Sequence, residues 1–291
     1  MPYSVISLLG GTALTLWLSF TGLWLLSLPL KNASLVDIFW GLGFILQMGV
    51  VWWWREPTSW RAGLLLLLVL LWGLRLSGYL AWRNGIVHED RRYAAMRAQH
   101  GASCWWISLG TVFWLQAAIQ WILGLPLQIA LIHDASTPWG LRDTFGLLLW
   151  TGGMLFEVVG DWQLARFRAD PHHAGQVCDR GLWRYTRHPN YFGECCLWWG
   201  IYLLACGSGA GWTIVSPLLL TYLLLRVSGV TLLERHLLQS RPDYADYCAR
   251  TNSFFPWFPR PGRRISPSDA ASRSATPSKN NKIGVEGMLD L

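Results

Sequence analysis

Long apolar runs, separated by short polar segments rich in arginine, limit what this chain can fold into. Between Arg61 and Trp82 the sequence reads Leu64 through Leu68 without a break and continues through Val69, Leu70 and Leu71. No small soluble core buries several such runs. A bilayer does, provided each segment satisfies its own backbone polar groups, which makes the segments helices of about 20 residues. Seven runs qualify: Val5 to Leu30 (ending near Pro29), Leu35 to Trp54, Arg61 to Trp82, Trp105 to Ile132, Leu141 to Val159, the short Tyr191 to Cys206, and Trp212 to Leu233. Pro126 marks a kink or an end in the fourth. The composition agrees: 52% of residues are hydrophobic and 14% are charged, against about 25% charged in an ordinary soluble domain. The expected fold is an all-α, polytopic integral membrane protein with about seven transmembrane helices enclosing a cavity.

The formal net charge of +7 is concentrated between the helices and in the tail. Arg83, Arg91, Arg92 and Arg97, then Arg166, Arg168, Arg180, Arg184 and Arg187, then the C-terminal arginines, fall on one side of a seven-span arrangement. The opposite loops carry only Arg55, Arg61 and Arg142. By the positive-inside rule the basic side is cytoplasmic and the N-terminus lies outside. The first residues lack the charged start and small-residue cleavage site of a signal peptide. The expected location is an integral, multi-pass membrane position: the plasma membrane in a bacterium, the endoplasmic reticulum or another organelle membrane in a eukaryote. No groove-reading motif accompanies the positive charge, so nucleic acid is not an expected partner. The six cysteines include no C-x-x-C pair and suggest neither a metal site nor a disulfide framework. Trp52 to Trp54 and Trp60 suit an aromatic belt at the membrane surface. Beyond Arg263 the chain turns to Ser, Pro, Asn and Lys, which reads as a disordered tail over 263–291.

The most informative segment is Arg180-Gly181-Leu182-Trp183-Arg184-Tyr185-Thr186-Arg187-His188-Pro189-Asn190-Tyr191-Phe192-Gly193-Glu194. Three arginines, a histidine, an asparagine and a glutamate stand at the mouth of an apolar helix. Such a cluster costs free energy unless its groups have partners, and several arginines together suit an anion such as phosphate. Asn190 is a good residue to cap the following helix. Upstream, Glu157 and Asp161 share a helix face, and Arg168 follows seven residues after Asp161.

This string resembles the signature of the steroid 5-alpha-reductase superfamily, in its bacterial-type C-terminal domain branch of DUF1295-like integral membrane proteins. The resemblance is strong from Asp161 to Phe258 and moderate from Ser34 to Tyr93. It implies a membrane domain over 1–262, with substrate-side helices in 1–110 and a cofactor-binding part in 141–260. It implies NADPH as cofactor, held by Arg75, Asp161, Arg168, Arg180, Tyr185, Asn190, Glu194, Glu234, Arg235 and Tyr244. Tyr244 and Tyr247, three apart, either flank the adenine or lie on a surface helix. Asp37 stands near the position of the family's glutamate that faces the substrate carbonyl, and as an alternative caps its helix. Arg75 needs a partner within its span, either Asp37 or a cofactor phosphate. The family's tyrosine acid is absent from its usual place before Arg75; Trp72 stands near it, and Tyr79 lies one turn after. Asp37 and Tyr79 are therefore the catalytic candidates. Asn84 and Glu89 to Tyr93 read as a loop, part of which closes over the nucleotide.

The implied reaction is NADPH-dependent reduction of a carbon–carbon double bond conjugated to a carbonyl, in a lipid-soluble substrate such as a steroid enone, by a monomer among membrane lipids. Two other readings stand beside it: an S-adenosylmethionine-dependent methyltransferase of the isoprenylcysteine type, which shares a similar Arg-His-Pro stretch, and a non-catalytic sterol-binding membrane protein.

Overall fold

The computed structural model describes residues 4–85, 89–227, 230, 234, 237, 238, 241 and 243–260. The expected tail at 263–291 lies outside the described residues. The elements are α1 (Val5–Leu30), α2 (Leu35–Arg55), α3 (Trp60–Asn84), α4 (Arg91–His100), α5 (Cys104–Ser108), a π-helical turn (Leu109–Trp114), α6 (Leu115–Leu123), α7 (Leu125–His133), α8 (Leu141–Ala169), α9 (Pro189–Ala205), α10 (Val215–Tyr222) with a second π-helical turn (Leu223–Val227), and α11 (Tyr244–Arg250). No strand occurs among the described residues. The protein is an all-α, polytopic membrane protein. Five helical stretches are long and apolar enough to cross a bilayer: Val5–Leu30, Leu35–Arg55, Trp60–Asn84, Arg91–Leu123 and Ala210–Val227. The other two expected spans differ for visible reasons. Helix α8 has 29 residues but carries Asp143, Glu157 and Asp161. Helix α9 has 17 residues, about 26 Å at the α-helical rise.

The structure corrects three local expectations. The fourth run is not one helix to Ile132. It breaks at Gly124, and Pro126 sits in the first turn of a new helix, α7, whose residues Leu125 to Ile132 are all buried. The segment expected to loop after Glu89 is helical from Arg91, with Asp90 capping it by accepting from Arg92 N at 2.9 Å. Helix α9 begins at Pro189 rather than after Asn190, so Asn190 is not its cap. Proline needs no hydrogen-bond donor in a first turn, which makes it the natural starter.

The chain forms two compact units. The first comprises Met1–Met154 and Cys195–Thr221, the second Leu155–Glu194 and Tyr222–Leu291. In the first, α2 and α3 approach through glycine. A Cβ on Gly41 would lie 2.3 Å from the Gly73 carbonyl oxygen, and one on Gly73 would lie 2.7 Å from that of Gly41. Small residues allow this close packing where lipid supplies no hydrophobic drive between helices. Beside the contact, Phe44, Trp72 and Trp198 form a buried aromatic knot with ring centroids 4.5 to 5.6 Å apart. Trp72 is wholly buried there.

Side-chain amides stitch the same unit. Thr12 Oγ1 donates to Gln128 Oε1 at 2.5 Å, Gln128 Nε2 donates to Gln47 Oε1 at 2.9 Å, and Gln47 Nε2 donates to the Gln120 carbonyl at 3.2 Å. Each such interhelical bond contributes about 0.6 to 2 kcal/mol in an apolar setting. The loops opposite the basic ones are tied by polar contacts. Asp134 accepts from the Thr58 and Ser59 backbone at 2.8 and 3.0 Å, Thr137 donates to the Gly207 carbonyl at 3.1 Å, and fully buried Arg61 pairs with fully buried Asp143. Arg61 therefore adds no free charge to that side, and Arg55 is engaged with the Ile132 carbonyl.

Candidate functional site

In the first unit the polar chemistry gathers at the start of α2. Asn32 and Ser34 shape the turn from α1, and Ser34 Oγ accepts from Asp90 N at 2.6 Å. One residue earlier, Glu89 accepts from Ala33 N at 2.9 Å and pairs with Arg97 at 2.7 Å. These contacts pin the start of α4 beside the start of α2. Two α4 side chains then reach Asp37: Tyr93 donates its hydroxyl to Oδ1 at 2.8 Å, and Arg92 donates to Oδ2 at 3.0 Å. Gln116, just past the π-helical turn, donates to the Tyr93 oxygen at 3.4 Å. The Tyr93 ring is packed among Leu16, Phe20, Ala33, Val36, Val112, Phe113 and Ala117. An apolar wall thus fixes the ring, while the hydroxyl emerges at a carboxylate. Asp37 keeps 18% of its side-chain surface exposed and Arg92 keeps 53%. The pair is open on one side. π-Helical turns often occur at functional positions, and this one supplies Val112 and Phe113 to the wall.

Tyr79, the other catalytic candidate, has its ring 5.4 Å from the Arg75 guanidinium one turn before it, 5.7 Å from that of Arg83, and 5.9 Å from the Trp82 ring. The phenol against Asp37 is Tyr93. Its signal was present in the sequence: Asp90 before Arg-Arg-Tyr-Ala-Ala-Met is a helix start, and it turns an expected loop into a helix with Tyr93 on its inner face.

In the second unit the signature folds as a helical turn, Gly181–Arg184, leading into α9. Gly181 adopts φ +58°, and a Cβ there would meet Gln163 at 2.3 Å. The space is used: Gln163 Oε1 accepts from Leu182 N at 2.9 Å, and Trp183 Nε1 donates to the Gly160 carbonyl at 3.0 Å. The signature is thereby laid against the end of α8. Asn190 Nδ2 donates to Asp161 Oδ1 at 3.3 Å. Asp161 and Glu157 are buried, 5% and 3% exposed, one turn apart on α8. Glu194 follows Asn190 by one turn on α9. Arg168, Arg180 and Arg184 are exposed, and Tyr185 is partly so, its ring 6.1 Å edge-on from Phe258.

Glu234 binds within the signature. It accepts from Arg187 Nε at 2.7 Å and Nη2 at 3.0 Å, and its Oε1 lies 3.1 Å from His188 Nε2. Arg187 also donates to the Cys248 and Thr251 carbonyls. Burial alone would raise the Glu234 carboxyl, but the hydrogen bonds from His188 and Arg187 and the guanidinium charge outweigh it and hold it below the ordinary range. Buried His188 stacks on Tyr191 at 5.4 Å, and its Nδ1 has no hydrogen-bond partner among the described residues. Tyr244 and Tyr247 are 3% and 2% exposed, 5.7 Å apart, and Tyr247 donates to the Trp183 carbonyl. They pack the helix α11 onto the signature. Burial pushes both phenols well up from their usual range. Arg235 lies outside the described residues.

Residues 23–251 match the model of the family described as "Protein of unknown function (DUF1295)". The uncharacterized protein C594.04c of Schizosaccharomyces pombe is 25% identical over 261 residues, covering 80% of this chain and 75% of that one. No solved structure matches significantly. The family match takes in α2 through α11 and both polar clusters, so this chain belongs to the DUF1295 family, the group its arginine-rich signature resembles.

Proposed function

We propose that this protein is a membrane-embedded, NADPH-dependent reductase of a carbon–carbon double bond conjugated to a carbonyl in a lipid-soluble substrate. The observation that carries the reading is the Tyr93–Asp37–Arg92 cluster, a phenol set in an apolar wall with a carboxylate 2.8 Å away and a guanidinium on the other carboxylate oxygen.

The second unit's side chains suit a pyridine dinucleotide in their chemistry. Exposed Arg168, Arg180 and Arg184 offer guanidinium donors to phosphates. Buried Asp161 with Asn190 offers an acceptor and an amide for hydroxyls and a carboxamide. His188 Nδ1 is a buried polar atom without a partner among the described residues. Arg187 and Glu234 are used by each other and serve to hold the signature in shape. When bound, NADPH supplies a hydride to the substrate. The protein's own part is electrostatic and protonic. Negative charge grows on the substrate carbonyl oxygen, and the Tyr93 hydroxyl donates a hydrogen bond and then a proton there. The Asp37 carboxylate, which accepts the phenol's hydrogen bond at 2.8 Å, orients the hydroxyl, and a proton from water at the exposed side of the cluster restores the phenol after the transfer. Arg92 and Gln116 hold the pair in register. The apolar wall that holds the Tyr93 ring shields the ring side of the donor, leaving its approach to the open side of the pair.

The test is a binding and turnover assay on purified full-length protein with NADPH, NADH and S-adenosylmethionine, and with a panel of lipid enones. The reading expects NADPH binding, consumption of NADPH with an enone, and loss of the NADPH preference over NADH in Arg168→Ala and Arg180→Ala. Binding of S-adenosylmethionine with no affinity for NADPH would overturn it in favour of the methyltransferase.

A further inference from the structure

The segment after α11, Thr251 to Arg260, is a strap bonded to the signature by its backbone. Arg187 N donates to the Asn252 carbonyl and Trp257 N to the Tyr185 carbonyl, each at 2.9 Å, and Arg260 N closes the strap onto the Arg250 carbonyl at 2.9 Å. Thr186 Oγ1 donates to the Phe254 carbonyl at 2.8 Å. So held, the strap has two faces. Phe254 turns inward, 4% exposed, against Phe192. Phe255, Trp257 and Phe258 turn outward with 68%, 68% and 77% of their surface exposed. Trp257 and Phe258, with Pro256, also line an apolar slot of about 300 Å³ closed by Phe156, Leu182 and Tyr185. The ends of the same strap line a second, polar cavity of about 220 Å³, whose cationic walls are Arg187, Arg250 and Arg260. Arg187 is neutralised by Glu234. Arg250 is only loosely paired with Asp179 at 3.5 Å, with 42% of its side chain exposed. Arg260 is exposed, and no carboxylate among the described residues pairs with it.

We infer that the strap is a binding site for one anionic glycerophospholipid. Its phosphate is received by Arg250 and Arg260 with the Asn252 and Ser253 polar groups, and its glycerol and upper acyl region lie along Trp257 and Phe258. The occupant follows from charge and polarity on adjacent parts of one short segment. A free phosphate leaves the outward aromatic residues in water, and a neutral apolar ligand leaves the two guanidiniums without an anion. Tryptophan and phenylalanine beside arginine is the pattern that seats at the headgroup level of a bilayer. The protein spans such a bilayer, and the site requires nothing of the proposed reduction.

The experiment is native mass spectrometry of full-length protein after reconstitution with phosphatidylglycerol or phosphatidylcholine and transfer to mild detergent. The expected result is one retained phosphatidylglycerol in preference to phosphatidylcholine. Arg250→Gln with Arg260→Gln lowers that retention by roughly tenfold or more, since each basic residue near the surface contributes to the attraction. Arg260→Gln alone, which breaks no ion pair among the described residues, gives a smaller drop in the same direction and covers the case in which the double variant misfolds. Trp257→Ala with Phe258→Ala weakens retention of both lipids. Millimolar inorganic phosphate leaves the lipid in place. Equal retention of the two lipids, unchanged retention in the arginine variants, or displacement by inorganic phosphate overturns the inference. Displacement by NADPH overturns it too, because the cationic cavity then belongs to the dinucleotide.

Discussion

Arg61 with Asp143 and Arg92 with Asp37 are both guanidinium–carboxylate pairs at the ends of apolar helices, yet the first pair has no exposed side-chain surface while the second leaves Arg92 53% exposed. Their surroundings differ as much. Arg61 also donates from its two terminal nitrogens to Thr137 and the Leu204 carbonyl, its buried Nε has no partner among the described residues, and a Cβ on Gly207 would strike its guanidinium. Every direction around that pair is closed by protein. Asp37 instead shares its carboxylate with a phenol, and the guanidinium opposite is half exposed. A charged pair in a membrane protein invites a functional reading wherever it occurs. The contrast teaches that burial and pairing do not carry that reading. A donor poised at an open edge does.

The largest effect expected from this contrast is on Tyr93. Tyr93→Phe removes one oxygen and keeps the ring in its wall. It should lower enone reduction by about a hundred- to ten-thousand-fold while the melting temperature stays near that of the parent. Full turnover in a folded Tyr93→Phe protein would end the acid assignment. Asp37→Asn should slow reduction similarly and leave NADPH affinity alone.

Next in size is Asp143→Ala, which strands a buried guanidinium and should cost about 3 to 5 kcal/mol of stability. Thermal melting in detergent reads it, and replacing both Arg61 and Asp143 with apolar residues should recover most of the loss. If Asp143→Ala melts like the parent, the sealed pair is not the structural device described. Smaller again is Gln128→Leu, which interrupts the amide chain from Thr12 to Gln47 at about 1 to 2 kcal/mol. The same melt measures it.

The smallest effect concerns Glu234, whose pair with Arg187 is intermediate in exposure between the other two. Its folded carboxyl is held below its ordinary value of 4.5. The stability it supplies is therefore complete above that value and is lost as pH falls through the depressed folded value. Melting temperature should decline on acidification below about pH 4.5, and part of that decline should vanish in Glu234→Gln. A Glu234→Gln profile that overlays the parent would remove the carboxylate from the signature's support.

Periodicity and apolar run length made the helices legible because hydrocarbon permits so few alternatives. The signature was legible from residue order. Other features were not, because they depend on contacts between distant segments. Trp105 to Ile132 reads as one run, yet Gly124 lets Gln47 approach so closely that a Cβ there would lie 2.1 Å from its Oε1, and the helix restarts. The helix carrying Tyr93 has a legible start at Asp90, but the meeting of Tyr93 with Asp37 is not legible, because it depends on distant Ala33 and Ser34 fastening Glu89 and Asp90. Glu234 read as a cofactor ligand because nothing in its local sequence announces Arg187, 47 residues away.

The contact of Gly41 with Gly73 has a mechanical consequence. It leaves the two backbones no spare width, so even one methyl group at residue 41 must tip α2 away from α3 rather than nudge a side chain. Asp37 rides one helical turn from that fulcrum, whereas Tyr93 is moored to α1 and the π-helical turn. A tilt of α2 would pull on the carboxylate and on the Ala33 and Ser34 ties to α4, against a phenol that α1 and the π-helical turn also hold. The hydrogen-bond length at the candidate site is thus gauged by two residues that never touch it.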